Sequence, residues 1–238
     1  MALRGKAAVV DDEILYPADD GVPMDDQTHT RNAASMTEAL QAWLDARGQP
    51  AWIGSNSFIY YQHGDPRRNV GPDYFVVLGA QENEERDCWR VWNEGGLLPQ
   101  VIVEFVSKRS SRKDRVTNFA IYRDVLKTHN YFICWNRSRR LEGYVLEGGE
   151  YVRLLPDANG RVACGALGLR LGFEGRVLRW YDAEGSPLPF DRERTTLEAH
   201  RANQETRRAD EEARRANRAE QELARLCDLL ASRGIDAQ

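Results

Sequence analysis

The spacing of hydrophobic and polar positions changes along the chain, and each change predicts a new element. From residue 28 to Gly48, apolar side chains recur at helical spacing, which predicts a helix closed by the glycine. The apolar runs YFVVLGA, residues 74–80, and VIVEFV, residues 101–106, predict strands that are covered on both faces. A broad apolar helical face then spans residues 112–130, and YFICW, residues 131–135, predicts a third buried strand.

Two later patterns predict hairpins, one turning at Gly148 and Gly149 and the other near Glu174 and Gly175. The order is therefore helix, strands, helix, strand and antiparallel strands. This order predicts an α/β (α+β) protein with a mixed central β-sheet flanked by helices.

The end of the chain has a different composition. Between Pro189 and Gly234 there is neither glycine nor proline. A seam of small or apolar residues, interrupted by Glu220, runs from Ala199 to Leu230 in alternating steps of three and four. This heptad spacing predicts a long C-terminal helix that pairs with a partner helix, most simply from a second copy of the chain. The alternative is a solvated single helix. We therefore divide the chain into an acidic N-terminal arm (1–27), a folded domain (28–188) and a helical tail (189–238).

Composition and charge restrict the function classes only in part. The formal net charge is −4, so any site for a polyanion must be local. Four cysteines stand far apart without a C-x-x-C pair, which argues against a zinc site and a disulfide framework and favours reduced thiols. Neither a signal peptide nor an apolar run long enough to cross a membrane is visible, so we expect a cytoplasmic protein without a membrane partner.

Two acidic residues, Asp73 and Glu104, interrupt or border the apolar strands. A buried carboxylate is costly unless it is paired or bound to a cation, and two of them at neighbouring strand ends suit Mg²⁺. Simpler roles also fit the sequence. Asp73 follows a proline and would cap a turn, and Glu104 would form a salt bridge with an interior arginine.

A basic run follows Glu104 directly. Between residues 107 and 115 the chain carries one acid and five cations: Lys108, Arg109, Arg112, Lys113 and Arg115. Carboxylates beside a cationic loop fit a phosphodiester substrate, with the metal serving the chemistry and Arg109, Arg112 and Arg115 holding the DNA backbone. The alternative is a solvated helix N-terminus, although basic charge is unfavourable there.

These stretches together resemble a known family. The ordered segments NSFIYYQHGDPRRNVGPDYFVVLGA, LPQVIVEFVSKRSSRKDRVTNFAIYRDVLKTHNYFICW and LEGYVLEGGEYVRL closely resemble the Uma-two family of restriction-endonuclease-like proteins, over about residues 28–185. The resemblance implies the PD-(D/E)-x-K nuclease fold and DNA cleavage with Mg²⁺ or Mn²⁺. It also implies that Asp73 and Glu104 bind the metal, with help from the Phe105 carbonyl.

The sequence departs from the family pattern where a lysine is expected. Val106 stands two residues after Glu104, and Asn118 stands where family members often supply a lysine from the following helix. An active enzyme would then use Lys108 or Lys113, with Asn118 assisting. The competing hypotheses are a catalytically impaired module that binds nucleic acid, and a scaffold assembled by the coiled-coil tail.

Overall fold

The computed structural model describes residues 16–18, 27–81, 83, 86–106 and 114–232, and only the backbone of residues 114–115 and 228–232. The predicted acidic arm therefore lies almost entirely outside the described residues, as do Lys108, Arg109, Arg112 and Lys113. The chain divides into two compact units, Met1–Leu188 and Pro189–Gln238.

The helices and strands of the first unit follow the periodicity of the sequence closely. Helix α1 spans Gln27–Asp45, and the chain leaves it through a turn in which Gly48 adopts φ +61°, a conformation that suits glycine. The strands are β1 (Ala51–Ser55), β2 (Ile59–Tyr60), β3 (Asn69–Val70), β4 (Tyr74–Leu78), β5 (Trp89–Arg90), β6 (Val101–Phe105), β7 (Asn130–Trp135), β8 (Arg140–Glu147), β9 (Glu150–Leu154), β10 (Val162–Cys164), β11 (Leu169–Glu174) and β12 (Val177–Tyr181).

Six strands form the central sheet, in the order β1-β4-β6-β7-β8-β9. Strands β6 and β7 are parallel, and the other neighbours are antiparallel, so the predicted mixed sheet and its α/β (α+β) class are confirmed. The parallel pair is possible because residues 106–129 lie between its strands and leave room for a helical crossover. The smaller sheets are β10-β11-β12 and β3-β2-β5.

The two faces of the central sheet are covered by different helical segments. On one face, the His29 ring of helix α1 stacks on the Phe105 ring of β6, with ring centroids 5.5 Å apart. On the other face, Ile102 and Val106 of the β6 region share a buried apolar cluster with Tyr122 and Leu126. Side chains alternate along a strand, so Glu104 lies between Ile102 and Val106 on this second face.

The crossover segment is helical, as predicted, but it is not an ordinary α-helix. Asp114–Asn118 and Ile121–Val125 have π-helical hydrogen bonding, and Leu126 N–H donates to the Ile121 carbonyl at 3.0 Å. The predicted apolar face is wrong at its edges, because Val116 is 67% and Val125 44% exposed. Each π turn closes an i→i+5 hydrogen bond, which shifts the α-helical spacing on which that prediction depended.

In the second unit, the described residues include the helix α2, which spans Asp191–Ser232 and confirms the predicted long C-terminal helix. It begins with Asp191 and Glu193, acids that are favourable at a helix N-terminus. Its side chains at Leu197, Leu223 and Leu226 are exposed. Among the described residues, no helix of this protein is both long and apolar enough to cross a membrane.

Candidate active site

The candidate site lies where the antiparallel pairing of β4 and β6 ends. The register pairs Tyr74 with Val103, so the next opposed residues are Asp73 and Glu104. At this point, hydrogen bonds from backbone N–H groups to side-chain carboxylates take the place of the backbone–backbone hydrogen bonds of the ladder. The Phe105 N–H donates to Asp73 Oδ2 at 2.7 Å, and the Asp73 N–H donates to Glu104 Oε2 at 3.4 Å. Each carboxylate is therefore held by the backbone at the end of the opposite strand, and the two acids, 31 residues apart in sequence, become neighbours.

Glu104 is deeply buried, with 4% of its surface exposed. Its Oε1 accepts hydrogen bonds from the Tyr122 hydroxyl at 2.5 Å and from Asn118 Nδ2 at 3.3 Å. A buried carboxylate requires such donors, because it has lost its water. Tyr122 and Asn118 are four residues apart in the crossover segment, so one helical face presents both donors to the same oxygen.

Burial and the charges of Asp73 and Glu104 favour the protonated forms of the neighbouring hydroxyl and thiol groups. Burial, followed by the charge of Glu104, raises the pKa of the Tyr122 hydroxyl well above its usual value. Burial, followed by the charge of Asp73, likewise raises the pKa of the Cys134 thiol on β7. The negative charge of the two acids therefore extends over the adjacent strand ends and keeps the Tyr122 proton available for donation to Glu104.

The structure brings only some of the predicted site residues together. Asp73, Glu104 and Asn118 meet directly, and Phe105 contributes its N–H to Asp73. Val106 is buried in the apolar cluster. The predicted cations Lys108, Arg109, Arg112 and Lys113 lie outside the described residues, and the side chain of Arg115 is not described.

Sequence reasoning assigned no role to Tyr122, although its hydroxyl donates a hydrogen bond to Glu104 at 2.5 Å. The signal was present in the spacing, because Asn118 and Tyr122 occupy successive positions of the family pattern D-x-x-x-K-x-x-x-Y. His29 was also missed. It is 6% exposed on α1, and its ring stacks on that of Phe105 with centroids 5.5 Å apart.

The donor set suits a hard divalent cation that keeps most of its water. Mg²⁺ commonly binds through one or two carboxylates together with water and substrate phosphate. Asp73 and Glu104 supply two carboxylates, and among the described residues no group of three or more acidic, histidine or cysteine side chains is arranged to hold a metal. The set thus fits Mg²⁺ or Mn²⁺ better than a structural zinc.

Comparison with known proteins identifies the family. Residues 11–179 match the family model described as "Uma2: Putative restriction endonuclease". This match covers well over half of the chain, so the protein belongs to the Uma2 family, and the resemblance found in the sequence is confirmed.

One similar solved structure is a crystal structure of a "putative nuclease belonging to DUF820" from Anabaena variabilis. It has 16% sequence identity and a TM-score of 0.45, over 61% of this chain and 76% of that chain. A comparison with the curated proteins finds no match.

Proposed function

We propose that this protein is a nuclease that hydrolyses DNA phosphodiester bonds with Mg²⁺ or Mn²⁺. One observation carries the proposal: the reciprocal hydrogen bonds that join the Asp73 and Glu104 strand ends. Two acids side by side at the open end of a sheet, with Glu104 buried and Asp73 half-buried, are costly for stability. A metal-dependent reaction would explain why the protein has two such acids despite their cost in stability.

Asp73 and Glu104 would hold the cation, and the Phe105 carbonyl is the third candidate oxygen. Such an ion, when bound, neutralises charge that develops on the phosphate and makes water a better nucleophile. Other side chains of the protein would hold the metal-binding carboxylates in position. Tyr122 and Asn118 hold one oxygen of Glu104, which leaves Oε2 on the side of Asp73.

The basic run beside the site would bind the substrate. Lys108 or Lys113 would place a positive charge near the reacting phosphate, and Arg109, Arg112 and Arg115 would contact the DNA backbone. Only four lysines occur in the chain, and Lys127 is the one within the described residues. Lys127 is exposed and precedes β7, at the end of that strand away from Glu104.

The decisive experiment combines cleavage and metal binding. With Mg²⁺ or Mn²⁺, the wild-type protein is expected to cut DNA, and Glu104→Gln and Asp73→Asn each to lower the rate at least 100-fold, a loss of about 3 kcal/mol. Both substitutions keep the shape of the side chain and one acceptor oxygen. Calorimetry should show Mg²⁺ binding to the wild type and at least tenfold weaker binding to each variant.

Glu142→Gln is the matched control. Glu142 is also buried, at 6% exposure, and the register places it on the same face of the sheet, two strands from Glu104. It is paired with Arg140 and accepts a hydrogen bond from Tyr144 at 3.0 Å. Equal activity in the wild type, Glu104→Gln and Glu142→Gln on several DNA substrates would refute the proposed enzyme.

The alternative is a catalytically impaired module that binds nucleic acid without turnover. The contact between Asn118 and Glu104 favours it, since a neutral amide stands where the family pattern has lysine. Asn118→Lys tests this alternative. If the wild type binds DNA without cutting it, the lysine should create Mg²⁺-dependent cleavage, and adding Glu104→Gln should remove that cleavage again. Failure of Asn118→Lys to cut would contradict the missing-lysine explanation.

We further propose that the tail assembles copies of the chain through α2. Support comes from the heptad seam and from Leu223 and Leu226, which are 66% and 50% exposed along this helix. An exposed leucine row on a long helix is stabilised by a partner helix.

A further inference from the structure

A cavity of about 430 Å³ lies at the turn that follows β7. Three separate parts of the first unit line it. Thr28 comes from the first turn of α1, the group Asn136, Arg137 and Arg139 comes from the β7–β8 turn, and Arg176 comes from the β11–β12 turn. Three of the five described lining residues are therefore arginines, and none is acidic.

Within the described part of the chain, the three lining arginines differ from other arginines nearby, because no acidic side chain pairs with them. Among the described residues, Arg140 pairs with Glu142 and Arg179 with Glu174. No ion pair is formed there by Arg137, Arg139 or Arg176, all of which are exposed. Guanidinium groups that converge on one space repel each other, and an anion in that space would relieve the repulsion.

Asn136 provides independent evidence for a ligand. It is only 7% exposed, and its Oδ1 accepts hydrogen bonds from Asn32 Nδ2 at 3.0 Å and Cys134 Sγ at 3.2 Å. These two donors determine the orientation of the amide. The buried Nδ2 has no hydrogen-bond partner among the described residues, and Asn136 is one of the residues that line the cavity. A buried donor without an acceptor is unfavourable, so this nitrogen requires one.

The backbone around the cavity adds two further features. Arg139 adopts φ +54°, a left-handed conformation that glycine or asparagine would occupy at lower cost. Thr28 lies in the first turn of α1, a helix of 19 residues, where the positive end of the helix dipole favours an anion.

We propose that this cavity binds a phosphate group, with Arg137, Arg139 and Arg176 around it and Asn136 Nδ2 donating to one of its oxygens. The location suggests the source. Cys134 pairs with Phe105 in register, so Asn136 lies at the same end of the strands as Glu104 but on the α1 face of the sheet. A DNA strand that crosses this end of the sheet would place a neighbouring backbone phosphate in the cavity. Naming DNA as the source rests on the proposed function.

The first test uses inorganic phosphate without divalent ions or turnover, so it is independent of catalysis. Calorimetry in chloride buffer is expected to detect phosphate binding by the wild type. Arg139→Gly should weaken it about tenfold, the effect of losing one charge-assisted contact. Arg137→Gln/Arg176→Gln should abolish measurable binding.

Lys127→Gly is the matched control for Arg139→Gly. Lys127 is also an exposed cation at positive φ, +50°, but it precedes β7 and does not line the cavity. Glycine should relieve backbone strain equally at both positions, so neither variant should lose stability. Only Arg139→Gly should lose phosphate affinity. Equal phosphate binding by the wild type, Arg139→Gly and Arg137→Gln/Arg176→Gln overturns the proposal.

A second measurement identifies the source of the phosphate. In fluorescence anisotropy with a DNA duplex, Arg139→Gly should bind several-fold more weakly than Lys127→Gly, and its salt dependence should be shallower by about one charge. If phosphate binding is lost but DNA binding is unchanged, the site is still a phosphate site, and its ligand is a small phosphate compound. Loss of cleavage in Asp73→Asn with phosphate binding intact separates this site from the catalytic proposal.

Discussion

The hydrogen bond from Tyr122 to Glu104 gives a sharp prediction for Tyr122→Phe. The substitution deletes one hydroxyl from a fully buried ring and leaves Asn118 as the other donor to Glu104 Oε1. Hydrogen bonds to charged groups contribute about 1.5–3 kcal/mol, so the free energy of unfolding at pH 8 should fall by about 2 kcal/mol. Urea unfolding followed by tryptophan fluorescence measures this, because all six tryptophans lie within residues 1–188.

The pH dependence of this penalty tests whether the folded protein holds the Tyr122 proton more tightly than the unfolded chain does. Because the pKa of Tyr122 is raised in the folded state, the wild type keeps the proton when the unfolded chain has lost it above pH 10. The stability conferred by the hydroxyl is therefore complete below about pH 10 and declines as the pH rises further. Between pH 8 and pH 10.5, the difference between wild type and Tyr122→Phe should shrink by about 0.8 kcal/mol.

Two controls make the reasoning refutable. Tyr151→Phe removes a hydrogen bond to a neutral acceptor, the Thr128 carbonyl at 3.0 Å, and should cost about 1 kcal/mol at pH 8. In a double-mutant cycle, Tyr122→Phe should cost less in a Glu104→Gln background than in the wild type. A Tyr122→Phe penalty below that of Tyr151→Phe, or one that stays constant to pH 10.5, would refute the charge-assisted contact.

Three other predictions follow from particular contacts. Gly54→Ala should lower the free energy of unfolding by about 1–3 kcal/mol in the same urea assay, because a Cβ there would overlap the buried Phe75 ring; an unchanged urea midpoint would contradict this. Burial raises the pKa of the Cys88 and Cys164 thiols to about 12, so of four thiols only the exposed Cys227 should react quickly with a disulfide reagent at pH 8, and Cys227→Ser should abolish that fast phase. Deleting residues 189–238 should convert an oligomer to a monomer in light scattering, and an unchanged oligomeric state would exclude the tail as the assembly element.

Much of the architecture was predictable because it follows from local patterns. The hydrophobic pattern predicts several elements at the positions where the structure has them. These are helix α1, the strands β4, β6 and β7, and the hairpin at Gly148 and Gly149. The long tail helix was equally visible, because it lacks glycine and proline over its whole length. Asp73 and Glu104 were noticeable for the same reason, as acids beside apolar runs.

The interactions of the crossover segment were less predictable. Its helical character follows from composition, but Val116 and Val125 are exposed in the structure, and Asn118 and Tyr122 both donate to one carboxylate oxygen of Glu104. A π turn gains little from local propensity, and packing against the sheet decides where it occurs. The donors of Glu104 therefore depended on tertiary structure.

Sequence alone determined most elements of this protein and the candidate acids, because hydrophobic periodicity and an acid within or beside an apolar run are properties of short segments. Tertiary structure decided which segments meet. The β4–β6 register joins Asp73 to Glu104 across 31 residues, and the phosphate cavity combines Thr28, Asn136 and Arg176 from three distant turns. Strand register and the packing of turns depend on contacts between remote parts of the chain, so no local pattern specifies them.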